Sequence, residues 1–128
     1  MLLKPDTPIS AYENPSAFKV YACDCGLLRR LAPLPVTVVL DANANYTKFK
    51  GSMAENVVLQ SLIPLMNNDI PHYWSPDSKA EIEFIQQWSS EIIPVEVKVE
   101  NSVSGRSLSV YNEKYYSKER VRFSFLNL

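Results

Sequence analysis

Residues 80–99, AEIEFIQQWSSEIIPVEVKV, decide the fold of this chain. Residues 80–87 alternate apolar and polar side chains, and within residues 91–99 the valines at 95, 97 and 99 alternate with the charged Glu96 and Lys98. A period of two is typical of a β-strand with one buried face. Because only residues 88–90 connect the two runs, they are predicted to form a β-hairpin.

Further elements extend this hairpin in both directions along the chain. Apolar residues at helical spacing follow Ser52, and Pro64 is expected to end that helix. The other predicted elements are a strand at 70–75, a turn at 76–79, a helix at 105–116 and a strand at 121–126. The order α-β-β-β-α-β predicts an α/β domain with a mixed central sheet. A crossover helix would let strand 121–126 run parallel to strand 91–99.

The first half of the sequence gives weaker signals. Residues 1–17 contain three prolines and no periodicity, which indicates a surface tail or linker. The remaining predictions are a short strand at 18–24, a short helix at 26–32, an ambiguous apolar run at 36–40 and a loop at 41–51. One domain at 18–128 is therefore expected.

Overall composition excludes several classes of protein. The chain has 128 residues, 46% of them apolar, and a net charge of −1, so no global positive field favours nucleic acid. Its three glycines cannot form either of the common nucleotide-binding loops, so no bound nucleotide is expected. No apolar stretch is long enough for a membrane span. With two cysteines only one residue apart, a cytoplasmic location is the default expectation.

Charged side chains on the hairpin form the candidate site. Glu83 lies on the first strand, and Glu96 and Lys98 share one face of the second. Two carboxylates beside a lysine favour Mg²⁺, with Mn²⁺ as a substitute, and chemistry on a phosphodiester. Glu55 is expected to join them, because its neighbours along the helix are apolar.

Simpler interpretations stay open for each of these residues. Ser52 and Glu55 fit a capping box at the start of a helix. Glu96 and Lys98 could form a cross-strand ion pair without a metal. His72 fits a strand end, Cys23 and Cys25 fit small core residues, and the basic side chains near the last strand (Lys114, Lys118, Arg120 and Arg122) fit a solvated edge.

Several segments resemble the C-terminal domain, of unknown function, found in a family of prokaryotic AAA-type ATPases. They are FKVYACDCGLLRRL (18–31), KGSMAENVVLQSL (50–62), HYWSPDSKAEIEF (72–84), EIIPVEVK (91–98) and SLSVYNEKYYSKERVRFSF (107–125). The resemblance implies a PD-(D/E)XK, or restriction-endonuclease-like, fold. It also implies a site in which Glu83, Glu96 and Glu55 hold a metal beside Lys98.

The same resemblance leads to three hypotheses about function. One is a metal-dependent DNA phosphodiester hydrolase or its inactive relative. Another is a non-catalytic DNA- or protein-binding accessory module of an AAA-type ATPase, and a folded remnant of a degraded gene is a third. Glu83 stands where the family usually has Asp, which moves the carboxylate by about 1.5 Å, so weak or no turnover is expected. Nothing in the chain resembles the ATPase module, which is expected as a partner.

Overall fold

A computed structural model describes residues 1–32, 35, 47–67, 69–77, 80–99 and 105–125. Its helices are α1 (Cys25–Leu31), α2 (Thr47–Leu62) and α3 (Arg106–Tyr115), and its strands are β1 (His72–Asp77), β2 (Ala80–Trp88), β3 (Glu91–Lys98) and β4 (Val121–Ser124). Two 3₁₀ turns lie at Ile9–Tyr12 and Ile63–Leu65.

The four strands form one mixed sheet in the order β1-β2-β3-β4. The first three strands are antiparallel, whereas β4 runs parallel to β3 with Val95 opposite Val121 and Lys98 opposite Ser124. Helix α3 makes the crossover between β3 and β4, as the sequence predicted. The α/β class and the mixed sheet are therefore confirmed.

Helices α2 and α3 cover opposite faces of the sheet. Helix α3 contributes Tyr111 to one buried cluster, whose sheet residues include Trp74, Ile82 and Ile85. Helix α2 contributes Ala54, Val58 and Leu59 to a second cluster, whose sheet residues are Phe84, Val95 and Val97. Successive strand residues point to opposite faces, so one sheet can serve two cores.

Strand β2 contains an extra residue that interrupts its alternation. Ile82 lies opposite Trp74 and Ile85 lies opposite His72, so three steps on β2 match two on β1. This is the mark of a β-bulge, which redirects the side chains at that point. Ile82 and Phe84 were expected on one face, but they belong to different cores. The sequence-based alternation across 80–87 is therefore wrong after Ile82.

The N-terminal segment also differs from the prediction. Residues 1–17 were expected to be a surface tail, but Leu2 and Ile9 are buried in the core on the α3 side of the sheet. The backbone N–H of Leu2 donates to the carbonyl oxygen of Tyr73 at 2.8 Å. A proline-rich segment lacks periodicity, yet it can still add backbone pairing and two apolar side chains to the core.

Two predictions for the first half of the chain are wrong, and one is confirmed. Residues 18–24 form no strand. Helix α1 matches the short helix expected at 26–32. Asp24 caps this helix, because its side chain accepts the backbone N–H of Leu27 at 2.7 Å. Helix α2 begins at Thr47, so residues 47–51 are helical where a loop was expected. The apolar run at 36–40 lies outside the described residues.

Candidate functional site

Glu83, Glu96 and Lys98 meet where β2 and β3 separate. The ladder between these strands runs from Trp88 opposite Glu91 to Phe84 opposite Val95, and the three charged residues lie just beyond it. Lys98 Nζ is 3.5 Å from Glu83 Oε1 and 3.6 Å from Glu96 Oε1. The two carboxylates thus share one ammonium group, and the predicted convergence of these three side chains is present. We call this group, together with Arg122, the Glu83 cluster.

The side chain of Glu83 accepts a backbone hydrogen bond that a neighbouring strand would otherwise accept. Its Oε2 accepts the backbone N–H of Val97 at 2.9 Å, in the region that the β2–β3 ladder no longer covers. The residue is buried, and burial raises the pKa of its carboxyl, although the Val97 N–H and the charge of Lys98 act in the opposite direction. The bulge in β2 aims the side chain between the strands.

Glu96 is a fully buried carboxylate, with an exposed fraction of 0%. Within the described part of the chain, neither of its oxygens has a hydrogen-bond partner. Its neighbours are two cations, Lys98 and Arg122, and Arg122 Nε lies 3.5 Å from Glu96 Oε2. Buried carboxylates need such compensation, because unpaired charge in a protein interior is costly.

Arg122 was not among the predicted site residues. The sequence placed it in a basic, solvated edge, but β4 pairs with β3 so that Arg122 lies opposite Glu96. Parallel pairing across an intervening helix fixes this register, and the sequence provides no local signal for it. The sequence gives only one hint of this contact: Arg122 and Ser124 are two residues apart and therefore lie on the same face of the predicted strand.

Glu55 belongs to a second group rather than to the Glu83 cluster. Its Oε2 accepts hydrogen bonds from Tyr21 Oη at 3.0 Å and from Lys19 Nζ at 3.2 Å. Lys19 Nζ also contacts Glu81 Oε1. We call Lys19, Tyr21, Glu55 and Glu81 the Lys19 cluster.

The two clusters are close enough to influence each other. The charge of Glu55 contributes to raising the pKa of Glu83. Burial, and then the charge of Glu55, also raise the pKa of Tyr21, so its hydroxyl keeps the proton that it donates. Burial alone would lower the pKa of Lys19, but its contacts with Glu81 and Glu55 outweigh this and raise it.

The capping-box interpretation of Glu55 is wrong. Helix α2 begins at Thr47, so Ser52 lies inside the helix and cannot be its N-cap. Glu55 instead faces the extended segment before α1.

The other residues weighed at the sequence level have ordinary partners. His72 Nε2 lies 2.6 Å from Glu13 Oε1, and Lys118 Nζ lies 2.6 Å from Glu91 Oε1. Cys23 and Cys25 are both free thiols, and the expectation that they are small core residues is wrong, because Cys23 is exposed and Cys25 is only partly buried.

The described carboxylates do not fit a metal ion in this arrangement. Across the described ranges, no three side chains of His, Cys, Asp or Glu come close enough to hold one together. Mg²⁺ requires near-octahedral oxygen ligands, whereas the space between Glu83 and Glu96 is shared by the ammonium group of Lys98. The predicted Mg²⁺ site therefore stays a prediction.

Comparison with known families places this arrangement in context. Residues 50–126, which include most of α2 and all of β1 to β4, match the family model of DUF4143, a domain of unknown function. The chain belongs to this family. No curated protein and no solved structure matches the chain. In the part of this DUF4143 domain that the structure describes, no helix has the length and apolarity needed to cross a membrane.

Proposed function

We propose that this DUF4143 chain is a non-catalytic, protein-binding accessory module with a PD-(D/E)XK-like fold, and that its partner is an AAA-type ATPase module. Such a domain would retain the sheet and the charged cleft of a nuclease without the capacity to cleave DNA.

The topology supports the nuclease-like fold. Three antiparallel strands precede a crossover helix and a parallel fourth strand, with a helix on each face. Glu83 on β2 and the Glu96-x-Lys98 pair on β3 lie where those strands diverge. This placement agrees with the roles implied by the resemblance to the PD-(D/E)XK fold.

The observation that carries the non-catalytic assignment is the charge balance of the Glu83 cluster. Its two carboxylates, Glu83 and Glu96, are accompanied by two cations, Lys98 and Arg122. Proteins usually hold Mg²⁺ through one or two carboxylates and several waters, and cations that already contact those carboxylates compete with the ion. Here the chain supplies the compensating charge itself, so the cluster ties β2, β3 and β4 together as an ion-pair network.

Surface chemistry favours a protein partner over DNA. Phe18 and Val20 are 74% and 83% exposed, while Lys19 and Tyr21 between and beside them point inward to Glu55. Leu31 at the end of α1 is also exposed. Exposed apolar side chains of this size are typical of protein contacts. Members of this family are commonly found with AAA ATPases, which makes that module the first partner to test.

Two assays test the proposal. Purified protein is incubated with single- and double-stranded DNA in Mg²⁺ and in Mn²⁺, beside Glu96→Ala and Lys98→Ala variants. We expect no cleavage by any of them. Binding to an AAA-type ATPase module from a relative that carries both domains is then measured by calorimetry, with Phe18→Ser and Val20→Ser as surface variants. Binding by wild type that is lost in Phe18→Ser and Val20→Ser would support the proposed module. Binding that is unchanged in both variants would contradict the assigned surface.

A metal-dependent phosphodiester hydrolase is the second candidate. The convergence of Glu83, Glu96 and Lys98 at one point of the sheet favours it. DNA cleavage that requires a divalent ion and that both Glu96→Ala and Lys98→Ala abolish would establish this function and overturn the first.

A further inference from the structure

A cavity of about 350 Å³ lies beside β2 at the point where β1 begins. His72, the first residue of β1, pairs with Ile85, and β2 continues past this pair to Trp88. The cavity lies between this part of β2, residues 8–10 of the N-terminal segment and the stretch that follows α2. Its size is in the range of small-molecule sites in proteins, which measure about 300–1,000 Å³.

The inner wall of this cavity is largely apolar. Ile9, Met66 and Ile85 line it and are buried, whereas Ile70 lines it with 73% of its surface exposed. Binding sites for small molecules commonly combine such walls with a few polar groups that orient the ligand. The walls therefore favour a ligand with an aliphatic stem.

Gln86 adds a hydrogen-bond acceptor without a donor to this wall. The residue lines the cavity and is only 8% exposed, and its Oε1 has no hydrogen-bond partner within the described part of the chain. Its Nε2 donates to the carbonyl oxygen of Gln87 at 3.2 Å, so a flipped amide would place two oxygens against each other. A buried acceptor without a donor is costly, and the soft terminal torsion of glutamine lets Oε1 turn towards a donor in the cavity. The cavity therefore favours a ligand that donates hydrogen bonds.

The rim of the cavity is acidic. Glu13 and Asp69 both line it and are exposed. Glu13 pairs with His72, whereas Asp69 forms no ion pair within the described ranges. No lysine or arginine is among the described residues that line the cavity. The cavity therefore offers a carboxylate and an amide oxygen that both lack a partner, and a cation with N–H donors satisfies both.

We propose that this cavity binds an alkylguanidinium group, with its stem on the apolar wall and its planar cation between Asp69 and Gln86. A guanidinium carries N–H donors in several directions, so one group can donate to both a carboxylate and an amide oxygen. It is also more weakly hydrated than an ammonium group, which lowers the cost of entering an apolar cavity. The group can belong to a small free molecule or to an arginine of another protein. This site goes beyond the proposed function, because it shares no residue with the Glu83 cluster or with the exposed Phe18 and Val20.

Titration of the isotope-labelled protein with n-butylguanidine, followed by NMR, tests this proposal. The largest shifts should occur at the side-chain amide of Gln86 and at the backbone amide of Ile70. Two probes separate charge from hydrogen bonding, since n-butylurea keeps N–H donors without the charge and butyltrimethylammonium keeps the charge without N–H donors. Each should bind at least about tenfold more weakly than n-butylguanidine. A spectrum that n-butylguanidine leaves unchanged would show that Gln86 is satisfied by water alone, and equal affinities for the three probes would show no selection for the group. Either result would overturn the proposal.

Three variants test the assigned residues. Gln86→Leu removes the acceptor and should weaken the binding of n-butylguanidine at least about tenfold. Asp69→Asn removes an exposed charge and should weaken it about two- to fivefold. Asp77→Asn is the matched control, because Asp77 is exposed at the other end of β1 and should leave the affinity unchanged. Wild-type affinity in Gln86→Leu would overturn the assigned acceptor. Wild-type affinity in Asp69→Asn would overturn the cation site, and this exposed position tests it even if Gln86→Leu fails to fold.

A five-residue capped peptide with a central arginine between glycines identifies the source of the group. Tighter binding of this peptide than of n-butylguanidine would support the site and assign it to an arginine side chain of another protein. Weaker binding of the peptide would support the site and assign it to a small free molecule. Failure of both probes to bind would overturn the proposal, whatever the DNA cleavage and ATPase binding assays show.

Discussion

The carboxylate of Glu83 accepts the backbone N–H of Val97 at 2.9 Å, so a side chain of β2 takes a bond that the β2–β3 ladder no longer makes. The β-bulge after Ile82 makes this possible, because it turns Glu83 towards the gap between the strands. The same carboxylate contacts Lys98. One residue therefore links the backbone geometry of the sheet with its charge network.

The first prediction concerns pH and Glu83. Burial raises the pKa of this carboxyl above its ordinary value of 4.5, so the folded protein keeps it protonated to higher pH than the unfolded chain does. Its contribution to stability is complete below that ordinary value and is lost as pH rises through the folded pKa. Glu83→Gln keeps an acceptor for Val97, so its melting temperature relative to wild type should rise between about pH 4 and about pH 7.

Glu113→Gln is the control for this experiment, because Glu113 is exposed on α3. Parallel stability profiles of wild type and Glu83→Gln across that pH range would contradict the assigned direction of the pKa.

The second prediction concerns Lys98, the cation shared by Glu83 and Glu96. Lys98→Met leaves two buried carboxylates with less compensation, and the free energy of unfolding should fall by about 3 kcal/mol. Chemical denaturation with urea measures it. Lys118→Met removes an exposed lysine paired with Glu91 and should leave the unfolding midpoint unchanged. If both variants unfold like wild type, the Glu83 cluster is not a stabilising network.

The third prediction concerns Asn56, which anchors the segment before α1. Asn56→Leu removes the acceptor of the Ala22 N–H and should cost about 1–3 kcal/mol of stability. Hydrogen exchange at the Ala22 amide should also become faster relative to amides of β3. Ser61→Ala, on the exposed side of the same helix, serves as the control. Unchanged exchange at Ala22 would show that Asn56 does not hold this segment.

The fourth prediction concerns Trp74 in the core on the α3 side. Its ring is fully buried and meets the rings of Tyr111 and Tyr115 edge to face, at 5.2 and 5.7 Å between centres. Trp74→Ala should reduce the free energy of unfolding by about 3–5 kcal/mol. Trp88 is more than half exposed, so Trp88→Ala should have a much smaller effect on the unfolding curve. If Trp74→Ala and Trp88→Ala reduced the free energy of unfolding by similar amounts, the assignment of Trp74 to the core would be contradicted.

The hairpin shows how far periodicity predicts structure. Alternating side chains in 80–87 and 91–99 predicted two strands, and β2 and β3 extend within one residue of those limits. The same alternation predicted that Ile82 and Phe84 share a face, and there it failed. A bulge depends on how β2 pairs with β1, and its mark in the sequence is only the adjacent apolar pair Phe84 and Ile85.

Local sequence by itself determined the type and order of the elements from α2 onward, because side-chain period, proline and turn residues act over a few residues. It also determined that Glu83, Glu96 and Lys98 lie on neighbouring strands. Only the tertiary structure decided which charges meet. Arg122 reaches Glu96 through parallel pairing across α3, and Lys19 reaches Glu55 across 36 positions of sequence. Such contacts depend on register and on helix placement, which long-range packing fixes and local periodicity does not.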